Sequence, residues 1–169
     1  IVFYDRLTED RRGGTTYYAY DANGNRWATG AKLYSYAPGS NRLTQIGTQA
    51  LTYDAAGNIK SDANGNRYTY NAPGRLASFY NLTNNRWAQY RYEARGLRTQ
   101  KTSDSGTTVY HYDAEGRLLQ ETTELGQLLR LYVWEDTVPI AQITKDLSSG
   151  TESLVYLHTD YLGAPRWAQ

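Results

Sequence analysis

Cysteine is absent from the 169 residues, which excludes disulfides, thiolate nucleophiles and thiolate metal sites together and leaves the redox compartment open. Methionine is absent too. A chain that opens Ile1-Val2-Phe3-Tyr4 is therefore expected to be a piece of a larger polypeptide. Only 2 Phe stand beside 17 Tyr and 4 Trp, so the aromatic faces must keep a polar edge near water or a hydrogen-bond partner. Excess charge of either sign is missing as well. With 18 Lys and Arg against 17 acidic residues, the formal charge of +1 leaves no surplus cation for a phosphate backbone, and nucleic acid is not an expected partner. No run of about 18 apolar residues occurs, so no membrane-spanning helix is expected in this segment. With 4 Pro and no charged linker, nothing marks a domain boundary, and the 40% of hydrophobic residues suffice for a core if the chain folds as one unit.

What is present is a repeat. Tyr20-Asp21-Ala22-Asn23-Gly24-Asn25-Arg26 returns as Tyr53-Asp54-Ala55-Ala56-Gly57-Asn58-Ile59 and as Tyr70-Asn71-Ala72-Pro73-Gly74-Arg75-Leu76. It returns again as Tyr92-Glu93-Ala94-Arg95-Gly96-Leu97-Arg98 and Tyr112-Asp113-Ala114-Glu115-Gly116-Arg117-Leu118. A truncated copy begins at Asp62, and a degenerate one runs from Tyr36 through Gly39 to Leu43. Each copy closes a β-rich stretch with tyrosine, turns at glycine and restarts on a basic or apolar residue. Gly96, Gly106, Gly116 and Gly126 fall ten residues apart, so the structural unit is one strand plus one turn. The missing beat near residue 85 is filled by Asn84-Asn85, which tolerates a left-handed backbone.

Between turns the polarity alternates with period two, the pattern of half-buried strands. Tyr18/Tyr20, Tyr34/Tyr36, Tyr68/Tyr70, Tyr90/Tyr92 and Tyr110/Tyr112 each place two phenols on one face of a strand. A meander would align these pairs into a tyrosine-rich face opposed by a more polar one carrying Val109 and His111. Asn23-Gly24 and Asn64-Gly65 fit tight turns with positive φ at the central positions. Asp21-Ala22-Asn23-Gly24-Asn25 imitates a calcium loop but lacks the ligand series that ends in a bidentate glutamate, and no metal or other cofactor is expected. From Gly126 onward, Leu128, Leu129, Leu131, Val133, Val138, Ile140 and Ile143 predict strands covered on both faces. A helix over 125–134 fits the periodicity as well, but Thr122-Thr123 and the β-branched residues that follow favour strand.

The repeats resemble the YD repeats of the rearrangement-hotspot (RHS) family. Tyr156-Leu157-His158-Thr159-Asp160-Tyr161-Leu162-Gly163-Ala164-Pro165-Arg166 resembles the core that follows those repeats in bacterial members, with Tyr156, Asp160, Gly163, Pro165 and Arg166 as its key positions. The approach to it, Leu131-Tyr132-Val133-Trp134 through Pro139-Ile140-Ala141, is similar too. The resemblance divides the chain into repeats over 1–126 and the start of the core over 127–169, continuous with one sheet. It implies an all-β fold: an antiparallel strand-turn meander forming a curved, spiralling sheet, a sector of a hollow shell. It further implies export from a bacterium, secreted or at the cell surface, as part of a larger protein. There the rest of the shell and an enclosed C-terminal toxin would be its partners. The aspartate-containing cleavage segment of the family lies beyond Gln169, so autoproteolysis is carried over to no residue here. These repeats are too few to enclose a protein cargo, and the piece is expected to present exposed sheet edges able to pair with another chain.

The expected function is a structural shell segment with no enzymatic chemistry. A second reading is a YD-repeat surface module that binds glycans or a partner protein through exposed Tyr and Trp. A remote third is a catalytic fragment, for which His158 and Asp160 are the only nameable candidates; His111 is the one other imidazole. Asn81-Leu82-Thr83 is an N-glycosylation acceptor pattern that matters only in a eukaryotic secretory protein.

Overall fold

The computed structural model describes residues 6–160 and 165–168, and every regular element among them is a β-strand. Two compact units divide the chain, Ile1–Asn85 and Arg86–Gln169. The first holds β1 (Glu9–Asp10), β2 (Thr16–Tyr20), β3 (Arg26–Thr29), β4 (Lys32–Tyr36), β5 (Leu43–Ile46) and β6 (Gln49–Ala50), hydrogen-bonded in chain order. It continues with β7 (Thr52–Tyr53), β8 (Ile59–Ser61), β9 (Asn66–Tyr70) and β10 (Leu76–Asn81), again in chain order. The second unit holds β11 (Trp87–Tyr92), β12 (Arg98–Ser103), β13 (Gly106–Tyr112) and β14 (Leu118–Thr123). After these come β15 (Leu128–Glu135), β16 (Val138–Lys145), β17 (Glu152–Thr159) and β18 (Pro165–Ala168), each antiparallel to the one before. Residues 125–134 contain no helix: β15 begins at Leu128, as the threonines before it and the β-branched residues after it predict. The antiparallel sheets do not close on themselves.

One turn design recurs along the chain. Asp21 N–H donates to Asn25 O at 2.8 Å while Gly24 N–H donates to Asp21 O at 3.0 Å, and the same pair of bonds recurs at Asp54, Asp62, Asn71, Glu93, Asp113 and Thr123. The backbone therefore makes a tight turn and then needs one residue in the left-handed region before the partner strand starts. Gly24 at φ 87° and Gly57 at φ 87° supply it. The extra residue is absorbed as a bulge, seen as a register slip between Ala19 and Tyr20 and again between His111 and Tyr112. Asn23 and Asn64 do not adopt positive φ; only the glycine of each Asn-Gly pair does, because three residues rather than two form the loop. Asn85, at φ 55°, fills the beat that lacks glycine, and Asp136 does the same at φ 51°.

Burial is shallow. Among the described residues the buried apolar ones are Ala28, Ala63, Ala88, Tyr110, Pro139 and Ala141, and no large side chain is fully buried. A second layer is what normally covers a sheet face; here side chains shelter one another along a single layer instead. At the aliphatic end, cross-strand partners Leu131, Ile143 and Leu154 form one row and Val133, Ala141 and Tyr156 the next. Coverage on both faces, expected from the run of apolar residues, is not what forms: Val133 is 37% exposed and Ile140 36%. The physical reason is that Arg130, Tyr132 and Gln142 occupy the alternate positions, so these strands keep a two-faced alternation.

Candidate functional site

Several of the tyrosines that close a strand reach back to an earlier backbone carbonyl. Tyr20 Oη donates to Leu7 O at 2.9 Å, Tyr36 Oη to Arg26 O at 2.7 Å and Tyr112 Oη to Arg98 O at 2.9 Å. Tyr53 makes the same bond to Leu43 O, and Trp134 takes over the role by donating Nε1–H to Leu118 O at 2.9 Å. Arg26, Leu43, Arg98 and Leu118 each begin a strand and Leu7 stands two residues before β1, so the acceptor is a carbonyl at which a ladder starts. Where that residue is arginine, its side chain works as well. Arg26 lies over the rings of Tyr18 and Tyr34 at 5.6 and 5.8 Å, and Arg98 over Tyr90 and Tyr110 at 5.5 and 4.6 Å. Each guanidinium thus bridges tyrosines on the two flanking strands by cation–π attraction.

The aspartate that follows the tyrosine is spent on its own turn. Asp21 Oδ1 accepts Asn25 N–H at 2.8 Å and its Oδ2 accepts the Asn25 amide at 3.0 Å; Asp54 binds Asn58 in the same way. Those side-chain bonds hold both carboxyls below the ordinary aspartate value. Burial alone would raise Asp62 and Asp113. The Tyr68 phenol and Asn66 amide reverse this for Asp62, and the Arg117 guanidinium, 2.5 Å away, reverses it for Asp113. Among the described residues no group of three or more His, Cys, Asp or Glu is placed to hold a metal ion.

Turns on the same side of the second unit are stapled together. Arg95 Nη1 donates to Ala114 O at 2.8 Å, and Arg117 Nη1 to Asp136 O at 2.6 Å. Beneath the second staple, Glu121 is buried beside its cross-strand partners Tyr110 and Arg130. Its carboxylate accepts from Arg130 Nη1 at 2.8 Å and from Tyr132 Oη at 2.7 Å. Burial first, and then the Glu121 charge, push the Tyr132 phenol well above its ordinary range. Next to this cluster, on the tyrosine face, is a cleft of about 410 Å³ between Leu118, Tyr132, Trp134, Pro139 and Leu157.

The remaining repeat positions hold the same places: Tyr70 and Tyr92 close β9 and β11, and Gly74 and Gly96 occupy left-handed turn positions. Of the core motif, Tyr156 is exposed on β17, Asp160 follows its end, and the backbones of Pro165 and Arg166 lie in β18; Gly163 falls outside the described residues. His158 shares β17 with Tyr156, while His111 sits on β13 with Nε2 3.0 Å from Thr122 Oγ1. The structure does not bring the two histidines together on adjacent strands. The Asn81 amide donates to Asn66 Oδ1 at 2.7 Å. Sequence reasoning missed Glu121 and the cleft, whose walls come from positions up to 39 residues apart.

The ladder of stapled tyrosines on recurrent turns that end in glycine defines an antiparallel β-repeat fold. Residues 92–128 match the family model described as RHS Repeat. No curated protein matches the chain. Among solved structures, the Photorhabdus luminescens Tc holotoxin pore superposes with a TM-score of 0.61 at 16% identity, over 86% of this chain and 10% of that one. TcdB2-TccC3-TEV gives 0.62 at 16% over 91%, and TcdB2-TccC3 without its hypervariable C-terminal region gives 0.61 at 16% over 92%, each across 10% of the matched chain. This chain therefore shares their fold and spans about a tenth of their length.

Proposed function

We propose that this chain is a length of wall from an RHS shell, whose work is to enclose a C-terminal toxin or effector polypeptide and keep it from solvent and proteases until delivery. Residues 127–169 are, on this reading, the start of the core in which the repeats end. The observation that carries it is the ladder: Tyr20, Tyr36, Tyr53, Tyr112 and Trp134 each bond back to an earlier backbone carbonyl, and no described part of it builds a deep core of its own. Such an array gains stability from neighbour contacts and grows by adding strands. Its job is steric, so no catalytic group is assigned. The partners are the remainder of the shell and the enclosed chain, and the setting is a bacterial protein exported whole; no described helix is long and apolar enough to cross a membrane.

The test is the intact mass of the parent gene product after expression. A product that extends past Gln169 and runs as separate shell and C-terminal pieces that co-purify is the expected result. A stable free-standing product of these residues alone would overturn the enclosure reading and favour a surface-binding module.

A further inference from the structure

We propose that the hairpin tip Arg11-Arg12-Gly13-Gly14 is a processing site for a protease with acidic subsites for paired basic residues, which hydrolyses the Arg12–Gly13 bond. The inference goes beyond the wall reading and holds whether or not the wall encloses a cargo. Arg11-Arg12 is the one place in the sequence where two basic residues adjoin. Both side chains stand in solvent, 79% and 90% exposed, and Gly13, Gly14 and Thr15 after them are exposed as well. The glycines sit at φ 82° and 126°, with no atom beyond their chain neighbours within 4 Å of where a Cβ would stand. Space around the scissile bond is therefore open. Small residues on an exposed tip are where nicking concentrates. The arginines of the recurrent turns differ: Arg95 and Arg117 are held to the carbonyls of Ala114 and Asp136.

Exposure alone does not make a substrate, because a protease binds several residues as an extended strand and the tip must first come away from the sheet. Two observations make that step easy. The first concerns the backbone. Residues 11–15 connect β1 to β2 without the pair of backbone bonds that closes the recurrent turn, and the two strands pair only at Asp10↔Thr16 and Glu9↔Tyr17. Among the described residues β1 has no strand on its other side. Freeing the tip and β1 gives up those pairs, the Tyr18 N–H bond to Thr8 O at 2.9 Å and the Tyr20 phenol bond to Leu7 O, while the ladder from β2 onward stays formed. The second concerns charge. Arg11 Nε lies 2.7 Å from Glu9 and Arg12 Nε 3.2 Å from Asp10, each two residues back in the chain. Ion pairs with so exposed a guanidinium contribute little, so trading these carboxylates for those of a protease is nearly neutral. Hydrolysis adds one water across the Arg12–Gly13 amide and leaves a carboxylate on Arg12 and an amine on Gly13. Leu7, whose carbonyl Tyr20 uses, then belongs to a piece held to β2 by non-covalent contacts alone.

The experiment exposes the folded full chain to two probes at low enzyme ratio, trypsin and a subtilisin-like protease specific for paired basic residues, and follows intact mass with time. Both are expected to cut first after Arg12, leaving a chain that begins Gly13-Gly14-Thr15. Arg11→Gln should slow the paired-basic protease about tenfold or more while trypsin still cuts first after Arg12, which separates recognition of the pair from access to the tip. Glu9→Gln/Asp10→Asn should alter the rate of the first cut by no more than about threefold. Tyr110→Ala weakens the second unit and should leave that rate within about twofold, because the cut proceeds from local opening. A first tryptic cut at any other basic residue, no cutting by the paired-basic protease, or a first cut that quickens in step with the stability lost in Tyr110→Ala would each overturn the proposal.

Discussion

The two units share one turn and differ in what lies between turns. In Ile1–Asn85 the strands run from two to six residues, whereas β11 to β17 of Arg86–Gln169 run from six to eight. Glycine spacing explains much of this. Gly57 and Gly65 stand eight residues apart and leave β8 three residues, while Gly106 and Gly116 stand ten apart and leave β13 seven. Two more residues per strand add one more inward side chain per face. The consequence is visible in burial: among the described residues the short-strand unit buries only Ala28 and Ala63, and the long-strand unit buries Ala88, Tyr110, Glu121, Thr122, Pro139 and Ala141. Length, rather than turn chemistry, decides where this repeat acquires an interior.

The sharpest way to break that comparison is to remove one tyrosine from each unit. Tyr110→Ala should cost about 3–4 kcal/mol, near the range for a core aromatic, and Tyr36→Ala about 1–2 kcal/mol for a half-buried ring and one hydrogen bond. Urea unfolding of both variants measures the two losses, and equal values would mean that strand length does not set the depth of burial. Next comes the ion cluster. Glu121→Gln should destabilise by about 2 kcal/mol, and a double-mutant cycle with Tyr132→Phe should reveal a coupling of about 1 kcal/mol. A coupling near zero would show that the buried carboxylate leans on Arg130 alone.

Smaller effects test the shared turn. Gly57→Ala and Gly116→Ala should each cost about 1–2 kcal/mol, since both glycines need a left-handed backbone that a Cβ disfavours. At Gly57 an added Cβ meets nothing, and at Gly116 it comes 3.4 Å from Leu97 Cδ1, an ordinary contact. A gap between the two of more than about 0.5 kcal/mol would locate an unyielding leucine between stacked turns. Acid should act on both units alike. Asp21, Asp54, Asp62 and Asp113 titrate below the ordinary aspartate value in the fold, and Asp146 is held down to about 2. A lowered folded value gives stability that is complete above the unfolded value of about 4 and is lost as pH falls through the folded one. Thermal scans from pH 6 to pH 2 should therefore show a decline confined to the acid end, and Asp54→Asn should make it shallower. Tyr110, Tyr112 and Tyr132 are raised, burial being the largest cause, so their contribution is intact below about pH 10 and fades as pH climbs beyond it.

Much of the ladder was legible because a glycine in a left-handed turn leaves a signature that no other residue imitates well. Asn85 followed from the same logic, since asparagine tolerates that region. Asp136 did not, because Glu135-Asp136-Thr137 contains neither glycine nor asparagine to announce a turn. The tyrosine faces could be read from spacing. Their hydrogen bonds could not, since the acceptors are backbone carbonyls of Leu7, Arg26 and Arg98, and a carbonyl carries no sequence identity. Glu121 sits among ordinary polar residues, Gln120 and Thr122, and is singled out only by what Arg130 and Tyr132 bring to it across the sheet. The cleft was hidden for the same reason: register, not local pattern, gathers its walls.

The backward reach of the closing aromatics gives the ladder an arrow. In every bond from Tyr20 to Trp134 the donor is later in the chain and the acceptor earlier. A polypeptide emerging from its N-terminal end would present each carbonyl before the phenol that claims it is made, so every new hairpin could latch onto finished structure without waiting for the rest. The two ways of cutting the array are then unequal. Removing strands from the trailing end leaves a carbonyl that water can satisfy, whereas removing them from the leading end strands a tyrosine whose partner has gone.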